Sequence, residues 1–176
     1  MQPFFISPRG GLASVFRVEE FTLLRPAQVE DKPALVELCI ASGLFQAGEL
    51  SEVSGILQSY FDGALGEDHY WIIDDDGGAA GIAYYAPAQL TEGTWNLHLI
   101  AVHPKIQGQG RGRAIMDYVE SNLRKRGERL LIVETSGVGS FEKTRQFYRK
   151  CGYSEEARIR DYYTDGADKI TFTKKL

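Results

Sequence analysis

The chain of 176 residues is long enough for one domain with a full core and too short for two ordinary ones. Hydrophobic residues make up 43% and charged residues 25%, a balance that excludes a disordered chain and fits a globular one. The net charge of -4 argues against a general nucleic-acid binder, and no apolar run approaches the ~20 residues that span a bilayer, so neither nucleic acid nor membrane is expected as a partner.

Residues 1–19 lack the basic start and long apolar centre of a secretory signal; they read as an N-terminal extension, with residues 20–176 as a single domain. FTLLRPA, from Phe21, predicts a short strand ended by Pro26. In VEDKPALVELCIASG, Leu35, Leu38 and Cys39 have helical spacing, with Asp31 as N-cap and Gly43 as stop. ELSEVSGILQSYFDG puts Val53, Ile56, Leu57, Tyr60 and Phe61 on one stripe of a second helix.

HYWIIDDDGGAAGIAYYAPA predicts two strands around a tight Asp-Gly-Gly turn, and TWNLHLIAV a third, closed by Pro104. A helix is expected from Gly112 to Arg126, burying Ile115, Tyr118, Val119 and Leu123. LLIVE, Leu130 to Glu134, reads as a strand buried on both faces. SFEKTRQFYRKCG is a further helix with Ser140 as N-cap and Gly152 as stop, and a hairpin around Asp165-Gly166 closes the chain. The order β-α-α-β-β-β-α-β-α-β-β predicts an α/β fold: a central mixed sheet of about seven strands flanked by about four helices, on both faces. Cys39 and Cys151 have no metal-ligand spacing and read as buried thiols of a reducing compartment, hence a cytoplasmic protein with no metal.

The chemistry concentrates in one loop. Gly108, Gly110 and Gly112 alternate between a strand and a helix start, where unpaired N–H groups and the dipole make an anion site. Arg111 and Arg113 sit in the first turn, where the dipole opposes cations; a bound phosphate would give both a counter-ion. The alternative is a flexible turn with solvated arginines. A P-loop is absent, and a GxGxxG fingerprint fails because positions 113 and 115 are Arg and Ile.

The run VHPKIQGQGRG, Val102 to Gly112, resembles the signature of the GNAT acetyltransferase superfamily, Gln/Arg-x-x-Gly-x-Gly/Ala after a strand ending in Val-x-Pro. FYRKCGY, Phe147 to Tyr153, is similar to that family's later Phe-Tyr-x-x-x-Gly-Phe/Tyr element, and the element order matches from about Phe21 to Leu176. The resemblance implies acetyl-coenzyme A as cosubstrate. Its diphosphate would be held by the backbone of Gln107, Gly108, Gln109, Gly110, Arg111, Gly112 and Arg113, and its pantetheine arm by the strand edge at Ile100, Ala101 and Val102. That strand and LLIVE would be parallel neighbours that splay to admit the thioester.

Tyr148 matches the position of the family's proton donor to the departing thiolate; by residue type alone it is an aromatic on a buried stripe with Phe141 and Cys151. Glu134 stands at the expected opening as general base, directly or through a water, or as a strand-end carboxylate with a cationic partner; His98 is the rival base. The chain departs from many relatives in lacking an asparagine near the start of the tyrosine helix, where Ser140 is the available substitute.

Glu49, Glu52, Asp62, Asp161 and Asp165 fall in segments expected to meet the acceptor, and suit either a cationic amine or plain solvent. IRDYYTDGADK reads equally as an acceptor wall, a homodimer edge or a simple hairpin. The resulting expectation is an enzyme, an N-acetyltransferase acting on a primary amine of a small molecule or peptide. The alternatives are a non-catalytic acyl-coenzyme A sensor on the same fold and a nucleotide-binding protein using the glycine loop.

Overall fold

The computed structural model describes residues 24–43 and 50–176. The expected N-terminal extension at 1–19 and the expected acceptor-side Glu49 lie outside the described residues. In chain order the elements are β1 (Leu24–Pro26), α1 (Lys32–Ser42), α2 (Leu50–Phe61), β2 (Tyr70–Asp75), β3 (Ala79–Pro87), β4 (Thr94–Val102), α3 (Arg111–Lys125), β5 (Leu130–Ser136), α4 (Glu142–Lys150), β6 (Ser154–Thr164) and β7 (Ala167–Lys175). This is the predicted order: four helices and a mixed sheet of seven strands arranged β1-β2-β3-β4-β5-β7-β6. All neighbouring strands are antiparallel except β4 and β5, which are parallel and joined through α3.

The sheet is packed on both faces, with one core on each. On one face Ile115, Met116, Val119 and Leu123 of α3 and Tyr148 of α4 pack against Trp95, Leu97, Leu131, Val133, Ile170 and Phe172. On the other, Leu35, Leu38, Val53 and Leu57 of α1 and α2 pack against Trp71, Ile73, Ile82, Leu99 and Ala101. No helix among the described residues is long and apolar enough to cross a membrane. Cys39 and Cys151 are buried free thiols.

β1 ends at Pro26 as expected, with the proline itself still paired with Ile72; the strand lies at the sheet edge, where a missing N–H costs nothing. Several local expectations need correction. Asp31 occupies the N-cap position of α1 without capping it, because its carboxylate is held by the Arg25 guanidinium at 2.7 and 2.8 Å and by the Gln28 N–H. Ile56 is exposed, whereas Val53 and Leu57 of α2 are buried against the sheet. Met116 and Glu120 are buried in α3 beside the predicted stripe, Glu120 because Lys174, Arg124 and the Tyr153 hydroxyl satisfy its carboxylate. Ser140 falls in a short 3-10 turn, Gly139–Phe141, and caps nothing; α4 begins after it.

The correction that matters for the site is β5. Its burial alternates: Leu131, Val133 and Thr135 are buried, whereas Glu134 between them is exposed. The described part of α1 and α2 packs over β2 to β4, so the corresponding face of β5, β7 and β6 carries no helical cover from it. That open face becomes one wall of the site.

Candidate active site

The site begins with one extra residue. The β3–β4 register runs from Tyr84↔Leu99 directly to Tyr85↔Leu97, which leaves His98 as a bulge in β4. Side-chain alternation inverts there. Trp95 and Leu97 join the α3/α4 core, Leu99 and Ala101 the opposite one, and Ile100 and Val102 return to the first. Parallel pairing of β4 with β5 stops at the same point, at Leu97↔Val133, although β4 continues to Val102 and β5 to Ser136. Each strand keeps its other neighbour, β3 or β7, to its end, so a gap opens between them while both remain extended. Buried Arg145 pins the end of β5 by donating to the carbonyls of Ser136 at 2.6 Å and Val138 at 3.0 Å.

On the α3/α4 side the gap leads to a cleft of about 560 Å³. Its walls are the open edge of β4 (Ile100, Ala101, Val102), the glycine loop, and the face of α4 carrying Phe147, Tyr148 and Cys151. The loop is shaped for close approach. Gly108 and Gly110 have φ of 76° and 87°, the left-handed region, and a Cβ on Gly112 would lie 3.3 Å from the Phe147 ring. Gln107 folds the loop back by donating from Nε2 to the Val102 carbonyl at 3.1 Å. No side chain caps the first turn of α3. Its N–H groups therefore face the cleft together with the positive end of the helix dipole.

The two arginines divide their duties. The Arg111 guanidinium does not point at an anion in the cleft. It turns back to β2, where Nη1 donates to buried Asp74 at 2.8 Å and Nη2 meets Asp76. These carboxylates answer the charge that the dipole opposes, so the backbone N–H is what Arg111 offers a ligand. Arg113 pairs with Asp117 one turn on and donates to the Lys150 carbonyl at 3.3 Å.

On the opposite face the gap opens to a groove of about 290 Å³ lined by Asn96, Leu97, His98, Ile132, Glu134 and Tyr163. Glu134 pairs with Lys169 at 3.0 Å. His98 stacks on Tyr84 with centroids 5.1 Å apart, and Tyr84 stacks on Trp71 at 4.7 Å, so a column of rings orients the imidazole. His98 is open to solvent through the groove, yet desolvation by the surrounding walls, aided by nearby His69 and opposed by Glu134, lowers its pKa below the usual histidine value. Burial pushes the Tyr148 phenol well above its usual range.

Nine of the ten residues expected to hold the cofactor thus line one cleft with Tyr148; Gln109 is in the loop but not in the lining. Glu134 lies across the gap in the second groove. Ser140 is not in the cleft; Lys143, Thr144 and Phe147 of α4 are. Those residues, with Ile106, Lys150 and Cys151, escaped the sequence reading. Their three- and four-residue spacing along α4 is the signal that marks them as one face. Two residues of the expected acidic wall are engaged elsewhere: Asp62 accepts from Gln58, and Asp161 accepts from the Gly166 N–H inside the hairpin.

Residues 66–155 match the family model of the acetyltransferase (GNAT) domain. The chain belongs to the GNAT acetyltransferase family. A GNAT-family crystal structure from Desulfovibrio desulfuricans is 31% identical, with a TM-score of 0.80 over 86% of this chain and 97% of that one. Two more distant structures share the GNAT fold. The ribosomal-protein-alanine N-acetyltransferase of Brucella melitensis is 20% identical, with TM-score 0.69 over 88% of this chain and 99% of that one. An aminoglycoside 6'-N-acetyltransferase complexed with coenzyme A is 14% identical, with TM-score 0.68 over 88% and 97%. Comparison with curated proteins gives no match.

Proposed function

We propose that this GNAT protein is an acetyl-coenzyme A-dependent N-acetyltransferase whose acceptor is a primary amine of a small molecule or peptide. The observation that carries this reading is the end of β4–β5 pairing at Leu97 and Val133, between a cleft on one face and a groove on the other. The cleft fits the cofactor: left-handed glycines and an uncapped helix start suit a diphosphate, and the free edge of β4 suits an amide-bearing arm.

Acetyl-coenzyme A, when bound, supplies the acetyl group as a thioester. The amides from Gly108 to Arg113 hold its diphosphate, and N–H groups along the opened edge of β4 stabilise negative charge developing on the carbonyl oxygen. Tyr148, a phenol that is protonated at neutral pH and lines the cleft, gives a proton to the departing thiolate. The acceptor enters through the groove as an ammonium with a pKa of about 10 and must lose a proton first. His98, held neutral and fixed by the aromatic column, is the base that takes it. Glu134, paired with Lys169, attracts and orients the ammonium.

A thiol-release assay across free amino acids, polyamines, aminoglycosides and peptides with free N-termini tests the proposal, with mass spectrometry of the product. One or more amines gain an acetyl group in step with thiol release. Tight binding of acetyl-coenzyme A with no turnover on any amine would instead favour a sensor.

A further inference from the structure

A bulged residue has no cross-strand partner, so β3 does not fix the direction of the His98 side chain through the ladder. The Tyr84 ring fixes it instead, lying 28° from the plane of the imidazole with centroids 5.1 Å apart. Tyr84 is in turn stacked on the buried Trp71 ring, at 4.7 Å and 12°. Its hydroxyl has a partner of its own. His69 Nδ1 lies 2.7 Å from Tyr84 Oη, and the two rings are 24° from parallel. His69 immediately precedes β2, next to Asp68, whose carboxylate accepts from Arg126 at 2.5 Å just beyond α3. The segment that carries the second imidazole is thereby tied down.

Stacking needs only an aromatic ring, and a phenylalanine would supply it. A hydroxyl on a half-buried ring costs free energy unless it is bonded, so its role lies in the bond it makes. We propose that His69 is a positioning residue for the acyl transfer: by bonding the Tyr84 hydroxyl it locks the ring against which His98 rests, and with it the direction in which that imidazole meets the acceptor amine. This inference rests on the reading of His98 as the base. The bond holds in either charge state, since Nδ1 accepts from the hydroxyl when unprotonated and donates to it when protonated. A proton on His69 opposes one on His98.

A double-mutant cycle on kcat, run with the amine that the panel above acetylates fastest, tests the role. Tyr84→Phe and His69→Ala each break the bond, and each is expected to lower kcat about tenfold through misdirection of the base, with acetyl-coenzyme A affinity unchanged. The double variant loses no more than either single one. His69→Gln, whose amide still accepts from the hydroxyl, restores most of kcat but moves the acidic limb of kcat/KM to higher pH, because the charge opposing His98 is gone. The other groups facing the two imidazoles are Tyr84, Glu134 and Tyr163, with Lys169 behind Glu134 and Asp68 beside His69 in the chain. Losses that multiply in the double variant, an unchanged kcat in either single one, or an unmoved limb in His69→Gln overturn the positioning role. His98→Gln separates this role from the reading beneath it. Loss of the limb in His98→Gln beside a multiplicative cycle overturns the role of His69 alone. Retention of the limb in His98→Gln, or absence of turnover on every amine, overturns the base reading and the role of His69 with it.

Discussion

The Arg111 guanidinium, on the first residue of α3, donates at 2.8 Å to the carboxylate of Asp74 near the end of β2. Their side chains are 11% and 3% exposed, so the pair is nearly dry. It ties the helix start that carries the glycine loop to the sheet beneath. Asp74→Ala leaves the Arg111 guanidinium with Asp76 but removes its buried hydrogen bond, and is expected to lower unfolding free energy by about 1–3 kcal/mol, read from urea denaturation. It should also weaken acetyl-coenzyme A binding, because the first turn of α3 loses its anchor.

Gly110, with φ of 87°, caps α3 in the left-handed region. An alanine there has open space for its Cβ but pays about 1–2 kcal/mol in backbone strain. Gly110→Ala is therefore expected to lose stability without a steric clash and to weaken cofactor affinity about tenfold as the loop relaxes away from its left-handed turn. Paired denaturation and titration experiments read both effects.

Tyr148→Phe keeps the ring packed against Phe172 and Tyr153 and removes only the hydroxyl. Turnover is expected to fall by about 100-fold, within the range for a lost general acid, with cofactor affinity changed less than about threefold. Because burial raises the phenol pKa, wild-type turnover should show no loss from tyrosine ionisation near pH 10. Equal loss of turnover and affinity in the variant would remove Tyr148 from the proton-donor role.

His98 separates two pH effects. Its folded pKa is lowered, so below about 6.5 the unfolded chain binds a proton that the folded chain resists. Stability therefore falls as pH drops through that window and is recovered above it. The groups bearing on the imidazole are His69, Tyr84, Glu134 and Tyr163, with Lys169 behind Glu134. His98→Gln should abolish this decline in urea midpoint and flatten the acidic limb of kcat/KM. Glu134→Gln should raise the acceptor KM and keep that limb. An unchanged limb in His98→Gln would transfer the base role elsewhere.

The sheet, the helices and the glycine loop were legible because each is written in local pattern: alternation in TWNLHLIAV, helical spacing after Gly112, and glycines at turns. What escaped is set by tertiary contacts. Nothing local to Arg111 says that its guanidinium reaches back to Asp74, thirty-seven residues earlier. Nothing in LLIVE says that no described helix covers one of its faces, so an apolar run with alternating burial read as a fully buried strand. The bulge at His98 is invisible for the same reason: it is a mismatch between two strands, and each strand alone looks regular. The splay of β4 from β5 came from family resemblance, and the structure gives its local cause.

The inverted alternation at His98 has a consequence for how such a protein diversifies. The bulge divides β4 between two spaces: Asn96, Leu97 and His98 line the groove, whereas Ile100, Ala101 and Val102 beyond it line the cleft. On the proposed reading, substitutions at Ile132, Glu134 or Tyr163 would change the acceptor groove without touching any residue that lines the cleft. A lineage built this way can exchange one recipient for another while its acyl supply stays constant.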